Sequence, residues 1–229
     1  MKTRIIHSKH FVEDAVNIIL ESAHEAIEKR GIFRLSLCGG NTPKPVYSAL
    51  ASTKDIPWEK VQLTFGDERC VPPEDAQSNF RMAKESLLDL AGIPEGNVFR
   101  MKGELPPEEA ARDYENKLHQ VATRFGEERY VHDLLLLGLG DDGHTASLFP
   151  DTSALGETEL NVAANYVPKF SKHRITFTYP LINAARSVSF LVNDPAKAGV
   201  IEEILAGGSQ YPAAKVAPVS GRLTWLLGF

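Results

Sequence analysis

The residues best suited to chemistry surround His144. This histidine follows the apolar run Leu134–Leu139, with Asp141 and Asp142 immediately before it and Gly143 freeing the backbone. Histidine titrates near neutral pH, and a neighbouring carboxylate can fix its tautomer and increase its basicity. The pattern predicts that His144 acts as a general base and that Asp142 orients the imidazole.

A second segment, GGNTPK, predicts an anion site. Its two glycines let a ligand approach the backbone, Thr42 is the expected N-cap, and Pro43 occupies the first helical position. A helix start presents unpaired N–H groups and a positive dipole end, which suits a phosphate. An ordinary capped turn explains the segment equally well. The expected binding residues are Gly39, Gly40, Asn41, Thr42 and Lys44.

A third charged segment follows another short apolar run. Asp67, Glu68 and Arg69 come directly after it, and Asn79 and Arg81 follow a short turn later. In isolation, the three charges are typical of a solvated loop with an internal ion pair. In an open parallel sheet, ligands bind outside the carboxyl ends of the strands, so the position of the segment favours a site.

Four other interpretations have less support. Gly138–Gly143 matches GxGxxG, but its two aspartates would repel a pyrophosphate. Cys38 and His144 could form a pair of thiol nucleophile and imidazole base, yet nothing in the sequence marks Cys38 as exposed and electropositive. Ser147 lacks the GxSxG surroundings of a hydrolase nucleophile. Neither HExxH nor paired CxxC is present, which argues against an obligate metal, and no cofactor is expected.

The elements that must position these residues alternate along the chain. Short apolar runs and segments of helical period follow one another, which predicts βαβ units and an α/β fold with a mainly parallel sheet. The segment Asp151–Ser171 is the least patterned and is expected to be a functional or mobile loop. Connections are too short for linkers, so residues 1–229 are expected to form a single domain. The predicted strands are Phe33–Cys38, Val61–Phe65, Leu134–Leu139, Arg174–Thr178, Val188–Val192 and, more weakly, Lys215–Val219. The predicted helices are Phe11–Lys29, Pro43–Ala51, Asn79–Leu90, Glu108–Arg124 and Pro195–Leu205.

Composition narrows the class of protein. The 229 residues are 43% hydrophobic and 24% charged, as in ordinary globular chains, with a net charge of -5. There is no basic footprint for nucleic acid or membrane, no run of roughly 20 apolar residues, and no secretory signal. A cytoplasmic protein is expected. Cys38 and Cys70 are too few for a disulfide framework and are expected to be reduced.

Five ordered blocks carry a family resemblance. They are CGGNTPKPVY, FGDERCVPPEDAQSNFRMAKESLL, LLLLGLGDDGHTASLFPDT, RITFTYPLINAARSVSFLVNDPAKAGVI and PAAKVAPVSGRLTWLL, and together they span residues 34–227. The chain resembles the 6-phosphogluconolactonase family of the glucosamine/galactosamine-6-phosphate isomerase superfamily. The resemblance implies a Rossmann-like three-layer α/β/α fold. It also implies hydrolysis of 6-phosphoglucono-1,5-lactone to 6-phosphogluconate in the oxidative pentose phosphate pathway, by a monomer or small homo-oligomer.

The resemblance also suggests roles for individual residues. The 6-phosphate is expected against Gly39–Lys44, and Arg69 and backbone N–H groups are expected to stabilise the oxyanion. Asp67 matches the proton-transfer aspartate of glucosamine-6-phosphate deaminase, so an auxiliary role is expected. Cys38 stands where the family usually has serine, and Asn41 where a small residue is common. The candidate cationic partners of the phosphate are Arg81, Lys172 and Arg174.

Two alternatives remain open. The deaminase carries a glutamate five residues after the histidine, where this chain has Phe149, so ring-opening chemistry is disfavoured. A non-catalytic phosphosugar-binding module, such as the effector domain of a transcription regulator, would need a DNA-binding segment. Only about thirty residues with one helix precede the first predicted strand, too few for a helix-turn-helix unit.

Overall fold

Two sheets organise residues 2–229, the part of the chain that this computed structural model describes. Six strands form a parallel sheet in the order β1-β9-β8-β5-β2-β3, and three form an antiparallel sheet in the order β4-β7-β6. The strands are β1 (Lys2–His7), β2 (Phe33–Leu37), β3 (Val61–Phe65), β4 (Asp67–Arg69), β5 (Leu134–Leu137), β6 (Val162–Val167), β7 (Lys172–Phe177), β8 (Ser187–Val192) and β9 (Arg222–Leu227).

Helices cover both faces of the parallel sheet. They are α1 (Phe11–Arg30), α2 (Pro43–Ala51), α3 (Asn79–Ala83), α4 (Asp89–Ala91), α5 (Pro107–Arg124), α6 (Tyr179–Ala184) and α7 (Ala198–Leu205). A π-helical turn, Lys84–Leu88, joins α3 to α4. The three helical pieces together occupy the segment in which one helix, Asn79–Leu90, is predicted. Short 3-10 turns occupy Trp58–Lys60, Glu95–Asn97, Ser153–Gly156, Pro168–Phe170, Pro195–Lys197 and Pro212–Lys215.

The central strands are buried on both faces, and in β5 this explains the continuous apolar sequence Leu134–Leu137. Successive side chains of a strand point to opposite faces of the sheet. Leu135 and Leu137 therefore pack in the core beside α5, whereas Leu134 and Leu136 pack in the core beside α1 and α2. This arrangement confirms the predicted three-layer α/β/α fold with a mainly parallel sheet.

Several predicted elements were wrong. The weak strand predicted at Lys215–Val219 does not form, because Lys215 ends a 3-10 turn and Pro218 lies within the stretch; the strand lies at Arg222–Leu227. The predicted strand Arg174–Thr178 exists as β7, but it belongs to the antiparallel sheet. The segment expected to be a loop contains β6 and two 3-10 turns. Within residues 2–229, no helix has the length and apolarity needed to cross a bilayer.

Candidate active site

A cleft of about 520 Å³ lies at the carboxyl ends of the parallel strands. Its walls come from the segments that follow β2, β5 and β8, numbered 38–43, 138–147 and 191–194, and from the antiparallel sheet. Parallel strands end at one edge of the sheet, where diverging connections leave a crevice. The three segments with candidate chemistry therefore meet in one place.

His144 is held in this cleft by its own loop. The backbone N–H of Gly140 donates to the carbonyl oxygen of His144 at 2.8 Å, and Gly143 has a φ of 71°. A Cβ on Gly140 would overlap the imidazole, so glycine is required there for this ring position. Nδ1 of His144 lies 2.5 Å from Oδ1 of Asp142, which leaves Nε2 for the cleft.

Two aromatic rings and a lysine complete the surroundings of the histidine. Phe149 stacks on the imidazole with ring centroids 3.9 Å apart, and Phe170 packs edge-on against Phe149. Lys169 Nζ donates to Oδ2 of Asp142 at 2.9 Å. Partial burial alone would raise the pKa of Asp142, but the hydrogen bonds from Lys169 and His144 bring that pKa to about 2. Asp142 is therefore a carboxylate at neutral pH.

The glycine loop is shaped by contacts on both sides. Gly39 lies against the side chain of Asn79, where a Cβ would overlap the amide, and Gly40 has a φ of 97°. Thr42 occupies the N-cap position of α2, but its backbone is helical and its hydroxyl makes no capping hydrogen bond. Pro43 and Pro45 have no N–H group, so Lys44 is the only one of the first three helical residues that has one. The other N–H groups beside the cleft belong to the loop of residues 39–42.

Cys38 lines the cleft, but its side chain is buried. The Tyr47 hydroxyl accepts a hydrogen bond from the Cys38 backbone N–H and donates to the Cys38 carbonyl oxygen, both at 2.9 Å. Burial raises the pKa of the Cys38 thiol to about 12. A nucleophilic thiolate is therefore disfavoured. Cys38 and Cys70 are both free thiols.

The loop after β3 is fixed by two carboxylates with different tasks. Asp67 accepts hydrogen bonds from Ser147 Oγ at 2.6 Å and from Asn79 Nδ2 at 3.0 Å. Glu68 is buried and accepts from the Ser78 hydroxyl and three backbone N–H groups, two of them at the start of α3. Desolvation raises the pKa of Glu68. The internal ion pair considered for this loop therefore does not form, because Glu68 serves the backbone.

Two arginines face the cleft without a negative partner. Arg69 on β4 and Arg174 on β7 are direct cross-strand neighbours, so their side chains share a face. Within residues 2–229, neither guanidinium lies within 4.0 Å of a carboxylate. Burial and then the charge of Arg69 lower the pKa of Arg174. An anion between the two guanidinium groups would relieve this repulsion.

Three cations expected at the phosphate lie outside the cleft lining. Arg81 bonds to Glu85 Oε1 at 2.7 Å and to the Glu74 carbonyl oxygen at 2.8 Å. Lys172 is exposed and its Nζ lies 3.4 Å from Gln77 Oε1. Lys44 is exposed because it follows the buried Pro43 by one residue, a rotation of about 100° around α2.

Sequence reasoning gave no role to several residues of the cleft, among them Asn79, Lys169 and Lys197. Lys197 Nζ donates to the Leu139 carbonyl oxygen and lies 3.7 Å from Asp141 Oδ1. Its place in the first turn after β8 was the signal that could have identified it. No group of three or more His, Cys, Asp or Glu side chains able to hold a metal occurs in residues 2–229.

Comparison with known proteins decides the family. Residues 7–225 match the family described as glucosamine-6-phosphate isomerases/6-phosphogluconolactonase. The chain belongs to this family. A 6-phosphogluconolactonase of Synechocystis is 44% identical over 232 residues, covering 97% of this chain and 93% of the relative. The human 6-phosphogluconolactonase is 40% identical over 205 residues, covering 86% and 79%.

Solved structures agree with the family assignment. The crystal structure of 6-phosphogluconolactonase from Thermotoga maritima superposes with a TM-score of 0.89 at 32% identity and covers 100% of both chains. The Trypanosoma brucei 6-phosphogluconolactonase gives a TM-score of 0.85 at 27% identity, with 99% and 96% covered. The fold and family implied by the sequence motifs are confirmed.

Proposed function

We propose that this chain hydrolyses 6-phospho-D-glucono-1,5-lactone to 6-phospho-D-gluconate, with His144 as the general base. The names of the relatives and solved structures support this reaction. The observation that carries the proposal is a single cleft that joins His144, fixed by Asp142, to the glycine loop and two unneutralised arginines. A lactone with a phosphate at its far end needs this combination.

The geometry supports one course for the reaction. Asp142 accepts a hydrogen bond from Nδ1–H of His144, so Nε2 is free to accept a proton from water as the water oxygen attacks C1 of the lactone. The C1 carbonyl becomes a tetrahedral oxyanion, which Arg69 and backbone N–H groups stabilise. The bond between C1 and the ring oxygen then breaks, and His144 returns its proton to that oxygen. Asp67, held by Ser147 and Asn79, contacts a substrate hydroxyl.

The phosphate is assigned to the other end of the cleft. A phosphate carries a charge of about -1.5 to -2 at neutral pH and accepts several hydrogen bonds. The loop before α2 offers N–H groups from residues 39–42, and Arg174 and Lys197 line the same cleft. We assign the phosphate to these groups and exclude Lys44, Arg81 and Lys172, which lie outside the lining.

Phe149 favours the lactonase over the deaminase. The deaminase pattern has a glutamate at this position, which would work on the substrate ring. Here the buried phenyl ring stacks on His144 at 3.9 Å and offers no proton-transfer group. Hydrolysis of a lactone needs only a base for water and a stabilised oxyanion, which the cleft supplies.

The test is a coupled assay on freshly generated 6-phosphogluconolactone, with the spontaneous rate subtracted. Loss of a general base costs about 10²- to 10⁴-fold in rate. His144→Ala should therefore lower kcat by this amount while 6-phosphogluconate still binds. Wild-type turnover no faster than spontaneous hydrolysis would reject the lactonase, and unchanged turnover in the variant would reject His144. Ammonia release from glucosamine 6-phosphate would favour the deaminase.

A further inference from the structure

A hairpin of the antiparallel sheet reaches over the histidine. Strands β6 and β7 pair from Val162–Phe177 to Val167–Lys172. Their connection, residues 168–171, contains the 3-10 turn Pro168–Phe170 and a left-handed Ser171 with a φ of 50°. These four residues are called the hairpin tip. Its Lys169 and Phe170 both line the cleft.

The hairpin tip contacts the proposed base along two routes. In the first, Lys169 Nζ lies 2.9 Å from Asp142 Oδ2, and Asp142 Oδ1 lies 2.5 Å from His144 Nδ1. In the second, Phe170 packs against Phe149 with ring centroids 5.6 Å apart, and Phe149 stacks on the imidazole. One polar and one apolar chain of contacts therefore converge on the same ring.

We propose that Lys169 is a positioning residue for the general base, and this rests on the proposed lactonase function. Its ammonium group holds the second oxygen of Asp142, so that the first oxygen stays on Nδ1 of the imidazole. It also shares the charge of that carboxylate, which limits how strongly the carboxylate favours the protonated imidazole. The base thus stays oriented without being protonated too readily.

Direct capture of the substrate by Lys169 fits the contacts less well. Its charge is already offset by Asp142, with Asp141 next to it in sequence. Arg69 and Arg174 have no carboxylate partner within residues 2–229 and are the cations left for an anionic ligand. We therefore assign Lys169 to positioning the general base, and Arg69 and Arg174 to binding the substrate.

Lys169 is the cation expected to have the largest effect on the Asp142 carboxylate. In residues 2–229, Asp142 has ion-pair contacts only with His144 and Lys169. Arg174 shares the Phe170 ring with Lys169, at 5.5 and 5.8 Å from its centroid, but does not pair with Asp142. The other charged groups that line the cleft are Asp67, Arg69, Asp141, Asp194 and Lys197.

The test measures kcat, KM and the pH profile of kcat on the phosphorylated lactone. For Lys169→Met we expect kcat to fall about 5-fold, the effect of a partly exposed ion pair, with KM within about 2-fold. Without the ammonium charge, the imidazole is protonated more readily. The acid limb of the profile should therefore move to higher pH by about half a unit.

Two further variants isolate the cause. Lys169→Arg keeps the charge and should restore both kcat and the position of the acid limb. Lys84→Met removes an ion pair of similar exposure, Lys84 to Asp89, outside the cleft lining, and should change neither quantity. Lys169 is 55% exposed, so its replacement creates no cavity. Both further variants also control for general effects of a substitution on folding.

Two results would overturn the assignment. A large rise in KM with unchanged kcat would make Lys169 a substrate contact, and an unmoved acid limb with unchanged kcat would make its ion pair incidental. Both require an active wild type. A wild type without turnover above the spontaneous rate would instead reject the lactonase itself, so the two failures are distinguishable.

Discussion

His132 should make the stability of this protein fall in mild acid. The residue is fully buried just before β5, with Nε2 2.8 Å from Thr64 Oγ1 and no partner for Nδ1 within residues 2–229. Its ring packs against Tyr130 and Phe177. Burial and, secondarily, the charge of Arg34 lower the pKa of His132 from 6.5 to about 3.

The size and sign of the effect follow from linkage. Because the folded pKa lies below the unfolded one, this contribution to stability is present above pH 6.5 and is lost as pH falls toward 3. At pH 5, His132 is protonated in the unfolded chain and neutral in the folded chain. The loss between pH 7 and pH 5 is about 2 kcal/mol, and it reaches about 4 kcal/mol at pH 3.

Urea unfolding at pH 7 and pH 5 measures this loss. Other titrating groups contribute to the drop, so the quantity of interest is the drop in wild type minus the drop in His132→Gln. Glutamine retains a polar group for Thr64 but cannot be protonated. His119→Gln, at an exposed site on α5, is the matched control and should keep the wild-type drop. Equal drops in wild type and His132→Gln would refute the reasoning.

Two further predictions concern the cleft. Gly140→Ala should lower kcat about 10²-fold or more, because the added Cβ displaces the His144 imidazole, whereas Gly199→Ala on α7 meets nothing and should leave kcat unchanged. Steady-state kinetics with circular dichroism check this, and a fully active Gly140→Ala would contradict the ring position. Arg174→Met should raise KM about 10-fold for the phosphorylated lactone but little for unphosphorylated gluconolactone. Equal changes for the two substrates would remove Arg174 from the phosphate contacts.

The parallel strands and the loops that follow them could be predicted because their sequence patterns lie within single short segments. Strand β5 is continuously apolar, and β2, β3 and β8 are rich in apolar residues, as expected for strands buried on both faces. Since parallel strands end at one edge, the segments carrying Gly39, Asp67 and His144 had to approach one another. That reasoning needs only strand order and direction.

The remaining parts depended on contacts between distant segments. Strands β1 and β9 pair across more than two hundred positions, and their alternating sequences gave no clear signal. Strand β4 is three residues long and is defined by its partner β7. Arg81 and Lys172 lie outside the cleft lining, because their side-chain directions and local partners are set in three dimensions. Lys169 was missed because it contacts Asp142 only when β6 and β7 pair and bring the hairpin tip to the cleft.

The double hydrogen bond of Tyr47 satisfies the backbone at one wall of the cleft. In a continuing sheet, neighbouring strands would satisfy the peptide groups of Cys38. Here a phenol from the next helix satisfies both, so the backbone needs no strand beside it at that point. The chains on either side are free to diverge one residue beyond β2. A single side chain thus substitutes for an absent strand, and the space it leaves open is where a sugar can enter.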